Sequence, residues 1–283
     1  MSKTTDTSPG AESGDISNMK DIEGIGDRGN ACGLDDTGGI GGRGNACGLD
    51  DNGGVGGRGN ACGLDGCGDE ADLAAFLRER QQIYSFLATV YREEVSLRYL
   101  ELLRDELPVV EGLLGTYVVT LAGKDAEALE CERKELAAEY ARLLLAMSAH
   151  PVPPFESVYT SDKRLLMQEA WQQVVSEYAQ AGFVKDEGFK LPEDHIALEL
   201  EFMAMLVGRS IEALESNDPE SIGHALGRQQ GFLDRHLANW VGSFAKDLKD
   251  AAHTLFYQGV AELTVELINE DQGLCLNDCH TQA

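Results

Sequence analysis

Apolar residues recur at helical spacing through most of the chain from Asp69 onward. In the clearest series, neighbours lie three or four positions apart: Ile196, Leu200, Met203, Val207, Ile211 and Leu214. This spacing places apolar side chains on one face of an α-helix. Strand-like alternation is nearly absent. The pattern predicts an all-α fold, a single helical domain over residues 69–272 built as a bundle of about eight to ten helices.

Several predicted helix ends carry residues that commonly stand there. Asp, Ser and Asn cap helix starts, proline suits a first turn, and glycine suits the left-handed position after a helix. The predicted starts are Asp125, Asp218 with Pro219 after it, Pro192 and about Ser161, and the predicted ends are Met147 and Gly182. Residues 148–160 contain three prolines and are expected to be irregular.

Residues 1–68 differ in composition from the rest of the chain. They hold 20 of the 32 glycines, and a unit that begins at Arg28 recurs from Arg43 and Arg58 with a period of 15 residues. Such a unit buries too little apolar surface to offset the ordering of its backbone. We expect residues 1–68 to form a disordered tail of repeats and residues 273–283 to form a flexible C-terminal tail.

The cysteines leave a second interpretation of the repeats open. Cys32, Cys47, Cys62 and Cys67 lie there, so the repeats would serve as a thiol-based metal store with the bundle as an anchor. Their spacing matches no paired Cys-x-x-Cys pattern of structural zinc sites. The odd total of seven cysteines favours reduced thiols. We therefore predict no bound metal and no cofactor.

Charge and hydropathy narrow the function classes. The chain has 49 acidic and 23 basic residues, a formal charge of −26, which disfavours nucleic acid as a partner. The most apolar stretch, Val109–Gly123, is shorter than the roughly 20 residues that a membrane span needs and contains Glu111. The N-terminus lacks the basic and apolar regions of a secretory signal, so we expect a cytoplasmic location without a membrane span.

Enzymatic motifs are weak in this sequence. It has no phosphate-binding loop, no Gly-x-Ser-x-Gly and no His-Glu-x-x-His. His195 and Glu199 are four residues apart and Asp194 precedes them, an arrangement that suits metal binding or acid–base work. It equally suits a helix capped by Asp194 with an exposed pair one turn apart. A metal-dependent hydrolase is therefore the alternative from a different class.

Two polar segments are not explained by packing. They are Pro151–Tyr159, with the sequence PVPPFESVY, and Leu191–Met203, with the sequence LPEDHIALELEFM. A proline-stiffened loop with aromatic and acidic side chains, beside an acidic helix start, suits the docking of a peptide. Loops of this kind carry function more often than a helical core does.

At these segments the sequence resembles the TorD/DmsD/NarJ family of redox-enzyme maturation chaperones. The likeness rests on PPFESVY at 153–159 and on Pro-x-Asp-His at 192–195, followed by Glu199-Leu200 and Phe202-Met203. The segment Ile83–Ala88 and the residues Trp240, Phe244 and Phe256-Tyr257 resemble the first and last helices of the family. The resemblance covers about residues 70–270 and leaves out the repeats.

The resemblance implies a cytoplasmic chaperone without enzymatic activity. Its partner would be the twin-arginine signal peptide of the catalytic subunit of a molybdopterin oxidoreductase, of the dimethyl sulfoxide reductase-like type, which it holds for cofactor insertion before export. A nitrate-reductase-type assembly subunit, which binds a catalytic subunit that is not exported, is the alternative. The protein would act as a monomer or a domain-swapped dimer.

The family motifs imply a peptide-binding surface at Pro154, Glu156, Ser157, Tyr159, Pro192, Asp194 and His195. A twin-arginine peptide presents two guanidinium groups ahead of an apolar, helix-prone segment. Carboxylates at Asp194, Glu156 and Glu199 would receive the guanidinium groups. Part of the apolar groove would come from Tyr84, Leu87, Tyr159 and Phe202. Residues 73–283 hold 18 basic and 35 acidic side chains, and their formal charge of −17 favours encounter with a cationic peptide.

Overall fold

The structure, a computed structural model, describes residues 70–105 and 111–280. Within these ranges the chain is helical and forms no β-strand, apart from an isolated bridge between Phe155 and His195. The helices are α1 (Glu70–Arg92), α2 (Leu97–Asp105), α3 (Gly112–Leu121), α4 (Ala126–Leu144), α5 (Glu156–Thr160), α6 (Glu169–Ala181), α7 (Ile196–Glu215), α8 (Pro219–Phe232), α9 (Ala238–Ala251) and α10 (Leu255–His280). A π-helical turn, Leu233–Leu237, joins α8 to α9. The predicted all-α bundle is confirmed for this part of the chain.

The two predicted tails are described unequally. The repeats at 1–68, with their cysteines, lie outside the described residues, so their predicted disorder stays a prediction. At the other end α10 continues to His280. Residues 273–280 therefore extend the last helix, which differs from the flexible segment that we expected there.

Three of the predicted helix ends occur where their side chains indicate. Asp125 caps α4, because its Oδ1 accepts a hydrogen bond of 2.9 Å from the backbone N–H three residues on. Asp218 caps α8 in the same way, and Pro219 is the first residue of that helix. Gly182 ends α6 with a φ of +68°, in the left-handed region that glycine occupies without strain.

Other predicted boundaries are wrong. The helix α7 begins at Ile196 rather than Pro192, because the residues between them hydrogen-bond to a neighbouring loop. The helix α6 begins only at Glu169, so residues 161–168 form a loop. The helix α4 ends at Leu144, which leaves Met147 exposed beyond it instead of on the buried stripe.

The centre of the described domain is α7. Thirteen of its 20 residues are buried, and it packs mainly against α1 and α8. Across the domain, α10 packs against α9 and α3, while the single turn of α5 lies against α9 and α6. Burial of α7 on most sides fixes the position of its first turn, where the family motif stands.

A buried carboxylate ties α4 to the junction of α9 and α10. Glu139 accepts hydrogen bonds from the backbone N–H groups of His253 and Thr254, immediately before α10 begins. Its neighbour Arg142 donates to the carbonyl oxygen of Ala251, the last residue of α9, at 2.9 Å. These bonds satisfy backbone groups that would otherwise lack partners at the two helix ends.

The closest approach of helices occurs between Gly259 of α10 and Leu114 of α3. A Cβ atom added at Gly259 would stand 2.4 Å from the backbone nitrogen of Leu114. We expect Gly259→Ala to lower the free energy of unfolding by about 2 kcal/mol, since the helices must separate. Chemical denaturation measures this loss.

The matched control is Gly242→Ala, at an exposed position inside α9 where an added Cβ meets nothing within 4 Å. Alanine favours a helix over glycine by about 1 kcal/mol, so this variant should be as stable as the wild type or more so. An equal effect of the two substitutions would contradict the close packing of α3 on α10.

Candidate functional site

The two polar segments singled out in the sequence meet in the structure. The backbone N–H of Ile196 donates to the carbonyl oxygen of Pro154 at 3.0 Å, and that of Glu156 donates to the carbonyl oxygen of Asp194 at 2.9 Å. The two loops thus run antiparallel for a few residues. The predicted neighbourhood of the proline-rich loop and the start of α7 is confirmed.

The carboxylate of Asp194 joins the loops through its side chain. Its Oδ2 accepts a 2.9 Å hydrogen bond from the backbone N–H of Ser157 and a second, short one from the Ser157 hydroxyl. The hydroxyl oxygen in turn accepts from the backbone N–H of Gln168, at the start of α6. Burial raises the pKa of Asp194, and the hydrogen bonds from Ser157 oppose that rise. The alternative in which Asp194 caps α7 is wrong.

His195 provides the cap of α7 instead. Its Nδ1 accepts a 3.1 Å hydrogen bond from the backbone N–H of Ala197, which requires a neutral imidazole with its proton on Nε2. The ring packs edge-on against Phe155 and Phe189, with centroid distances of 5.1 and 5.2 Å. Burial and the nearby Arg92 cation lower the pKa of His195 to about 3. His195 is therefore uncharged at neutral pH.

Behind this junction lies a buried group of Glu156, Glu177, Glu199 and His236, here called the acid–histidine cluster. His236, on the π-helical turn, approaches Glu156 Oε2 with Nδ1 at 2.9 Å and Glu177 Oε1 with Nε2 at 3.3 Å. Burial lowers the pKa of His236, but the hydrogen bonds to both carboxylates outweigh this and raise it to about 9. The imidazolium then donates to both carboxylates at neutral pH.

The remaining members of the cluster have opposite protonation states. Burial raises the pKa of Glu177, yet hydrogen bonds from His236 and Arg235 outweigh it and lower the value to about 2. Glu199 is fully buried, and its Oε2 accepts a 3.0 Å hydrogen bond from the indole N–H of Trp240. Burial and the Glu156 carboxylate raise the pKa of Glu199 well above its ordinary value, so this carboxyl group is neutral. The interpretation of His195 and Glu199 as an exposed pair is wrong.

Two members of the cluster were missed by the sequence analysis. His236 precedes the apolar positions Leu237, Trp240 and Phe244, and it stands one helical turn before Trp240. A polar residue on an apolar stripe was thus the available signal for His236. Glu177 follows no such pattern, because it is only partly buried and its partners come from the distant π-helical turn.

Tyr159 and Pro192 are the predicted site residues that remain partly exposed. The Tyr159 ring lies 5.6 Å from Trp240 between centroids, and its hydroxyl donates to Asp247 Oδ2 at 3.4 Å. The guanidinium of Arg164 covers the ring at 5.4 Å. Tyr159 thus connects the buried cluster to the surface of α9.

The apolar groove expected from Tyr84, Leu87, Tyr159 and Phe202 does not form as predicted. Tyr84 and Leu87 are completely buried in the core, and the Tyr84 hydroxyl donates to Asp271 of α10 at 2.5 Å. Phe202 is buried as well, against Tyr178. It contributes to the floor of a cleft of about 390 Å³ lined by Glu177, Gln180, Phe202, Leu206, Gly227, Arg228 and Arg235.

Comparison with known proteins places this architecture. The family model described as the nitrate reductase delta subunit matches residues 110–246. The chaperone protein TorD of Vibrio parahaemolyticus is 26% identical over 222 residues, which cover 73% of this chain and 99% of that protein. TorD of Shewanella pealeana is 27% identical over 207 residues, or 68% of this chain and 87% of that protein. The chain belongs to the TorD family of redox-enzyme maturation chaperones.

The matched residues include both motif segments and the whole acid–histidine cluster. TorD-family proteins are chaperones and not enzymes, which confirms on that ground the expected lack of enzymatic activity. Within the residues that the structure describes, no three His, Cys, Asp or Glu side chains group to hold a metal ion. No helix in that part of the chain has the length and apolar character needed to cross a bilayer.

The two buried histidines of this TorD-family domain predict opposite limbs of a stability profile against pH. Both titrate near pH 6.5 when unfolded. The stabilisation from charged His236 is complete below that pH and is lost as the pH rises to about 9. Because His195 stays neutral down to about pH 3, the unfolded chain binds the extra proton and stability falls below pH 6.5. Each slope is at most about 1.4 kcal/mol per pH unit.

Urea unfolding between pH 5 and pH 9.5 tests these assignments with two conservative variants. His236→Gln should flatten the alkaline limb, and His195→Asn, which keeps a cap for α7, should flatten the acid limb. Profiles that keep both limbs in both variants would show that these histidines are not the groups responsible.

Proposed function

We propose that this chain is a cytoplasmic chaperone for the catalytic subunit of a molybdopterin oxidoreductase of the dimethyl sulfoxide reductase-like type. In this proposal it binds the N-terminal twin-arginine signal peptide and holds the subunit for cofactor insertion before export. Support comes from relatives that are named TorD chaperones and that match this chain over most of the helical domain.

The observation that carries the proposal is the junction of the two motif segments through Asp194 and Ser157. Five of the proposed site residues, namely Glu156, Ser157, Asp194, His195 and Glu199, are buried. We assign them a positioning role, because they hold the loops that border the surface. Tyr159 and Pro192, which are partly exposed, are proposed to contact the peptide, and Pro154 to stiffen the loop between them.

Charge supports a cationic ligand. The formal charge of −17 over residues 73–283 attracts a peptide that begins with paired arginines. Inside the cluster, by contrast, the Glu156 and Glu177 carboxylates already face His236 and Arg235. The peptide's guanidinium groups are therefore proposed to bind exposed carboxylates at the rim and not the buried cluster.

A second candidate function is that of an assembly subunit for a catalytic subunit that is not exported. The observation that favours it is the match of residues 110–246 to the nitrate reductase delta subunit model. Isothermal titration separates the candidates, using the synthetic signal peptide of the molybdoenzyme encoded nearest to this chain's gene. Saturable binding that disappears when the paired arginines are replaced supports the export chaperone, whereas absence of binding favours the assembly subunit.

Substitution of the junction tests the site. Asp194→Ala removes the acceptor that holds Ser157, so we expect affinity for the signal peptide to fall about tenfold, or roughly 1.4 kcal/mol. His195→Ala, which uncaps α7 beside the same loop, should also weaken binding. Circular dichroism should show that both variants keep the helical bundle.

Asp218→Ala is the matched control, because it also removes an aspartate at a helix start but at the far end of α7. We expect it to lower stability slightly and to leave peptide affinity unchanged. Wild-type affinity in Asp194→Ala would contradict the site assignment, as would equal losses in Asp194→Ala and Asp218→Ala.

Removal of the repeats tests their proposed lack of a role in binding. Deletion of residues 1–68 leaves the motif segments and the described helices intact, so helicity and peptide affinity should remain within twofold of the full chain. Titration and circular dichroism of the two forms make the comparison. Loss of affinity would assign a binding role to the repeats, and zinc lost with them would favour the metal-store interpretation.

A further inference from the structure

The loop between α5 and α6 exposes three consecutive apolar side chains. Leu165, Leu166 and Met167 are 51%, 46% and 50% exposed. The sequence pattern placed Leu166 on the buried stripe of a helix, but α6 begins only after the loop. Large apolar side chains grouped at the surface are a common mark of interaction sites.

This loop is held in one conformation by specific contacts. The backbone N–H of Leu165 donates to the Ser161 hydroxyl at 3.2 Å, and Gln168 bonds with its side chain to the carbonyl oxygen of Leu166 at 2.8 Å. Arg164 and Met167 have φ angles of +51° and +55°, which are unfavourable for residues other than glycine. Surrounding contacts must impose such a conformation, and strain of this kind is frequent at binding sites.

The loop is anchored to the proposed site. The Ser157 hydroxyl accepts from the backbone N–H of Gln168 at 3.1 Å, and the same hydroxyl donates to the buried carboxylate of Asp194. The motif residues thus fix the end of the loop, although they are buried themselves. This connection gives Asp194 and Ser157 a physical effect at the surface.

A carboxylate borders the apolar residues. Asp247 of α9 is half-exposed, and its Oδ2 lies 3.9 Å from the Arg164 guanidinium, which is also exposed. An exposed pair at this separation contributes little to stability, so another guanidinium would displace Arg164 at small cost. The surface therefore offers an apolar patch beside an exchangeable anionic group, which complements a cation followed by an apolar segment.

We propose that Leu165, Leu166 and Met167 receive the apolar segment of the signal peptide, with an arginine of that peptide at Asp247. This assignment rests on the proposed function and adds to it the place where the two parts of the peptide bind. The patch has three side chains in sequence order, which fit one face of a short apolar helix. The peptide's apolar segment thereby covers side chains that are otherwise in water.

The test is isothermal titration of the full chain with the signal peptide described above. The combined variant Leu165→Ser with Leu166→Ser should bind at least tenfold more weakly than the wild type, while thermal unfolding stays unchanged because these side chains are not in the core. Val119→Ser, at a 73% exposed apolar position on α3, is the matched control and should bind within twofold of the wild type.

A second peptide, in which serines replace the apolar segment, makes the test specific. The wild type should bind it weakly, and the loop variant should lose no further affinity. Asp247→Asn should weaken binding of the peptide with paired arginines and have no effect when those arginines are replaced.

The possible failures are distinguishable. Wild-type affinity in the loop variant overturns the loop assignment and leaves the proposed function intact. An equal loss of affinity by the loop variant for both peptides also overturns it, since the loop would then not contact the apolar segment. Absence of any binding by the wild type overturns the proposed function and the loop assignment together.

Discussion

The buried carboxylate of Asp194 determines how the loops of this domain are arranged. It accepts two hydrogen bonds from Ser157, and the backbone beside it pairs with Pro154 and Glu156. A carboxylate buried in this way requires donors, because an unpaired one would have a high free-energy cost. The proline-rich loop, the first turn of α7 and the start of α6 consequently share one position, and each depends on the other two.

A second constraint is the balance of charge behind that junction. His236 contributes a positive charge between the carboxylates of Glu156 and Glu177, while Glu199 keeps its proton and accepts from Trp240. In a buried set of this kind, removal of one member leaves the others without compensation, at a cost larger than the set contributes when complete. The cluster therefore serves to hold a specific arrangement of α5, α6, α7 and the π-helical turn.

Local patterns in the sequence predicted the helices and several of their ends, because periodicity and capping depend on neighbours in the chain. Asp125, Asp218 and Gly182 behave as their residue types indicate. Asp194 does not, since a contact with Ser157 across 37 positions competes successfully with capping of α7. Leu165 and Leu166 were likewise assigned to a helix, because their spacing carries no sign of the hydroxyl groups that hold the loop. The motif resemblance located the junction, and the partners of His236 emerged only with the tertiary structure.

The π-helical turn at Leu233–Leu237 also has an evolutionary consequence. A π turn closes its hydrogen bonds over one residue more than an α-helix does. Loss of a single residue there would restore a regular helix and rotate everything after it by about 100°. With Gln229 of α8 still bonded to Ser210, the indole of Trp240 would then point away from Glu199. Between Gln229 and Trp240 the number of residues is therefore under as strong a constraint as their identity, and we expect homologues to tolerate substitutions there more readily than insertions or deletions.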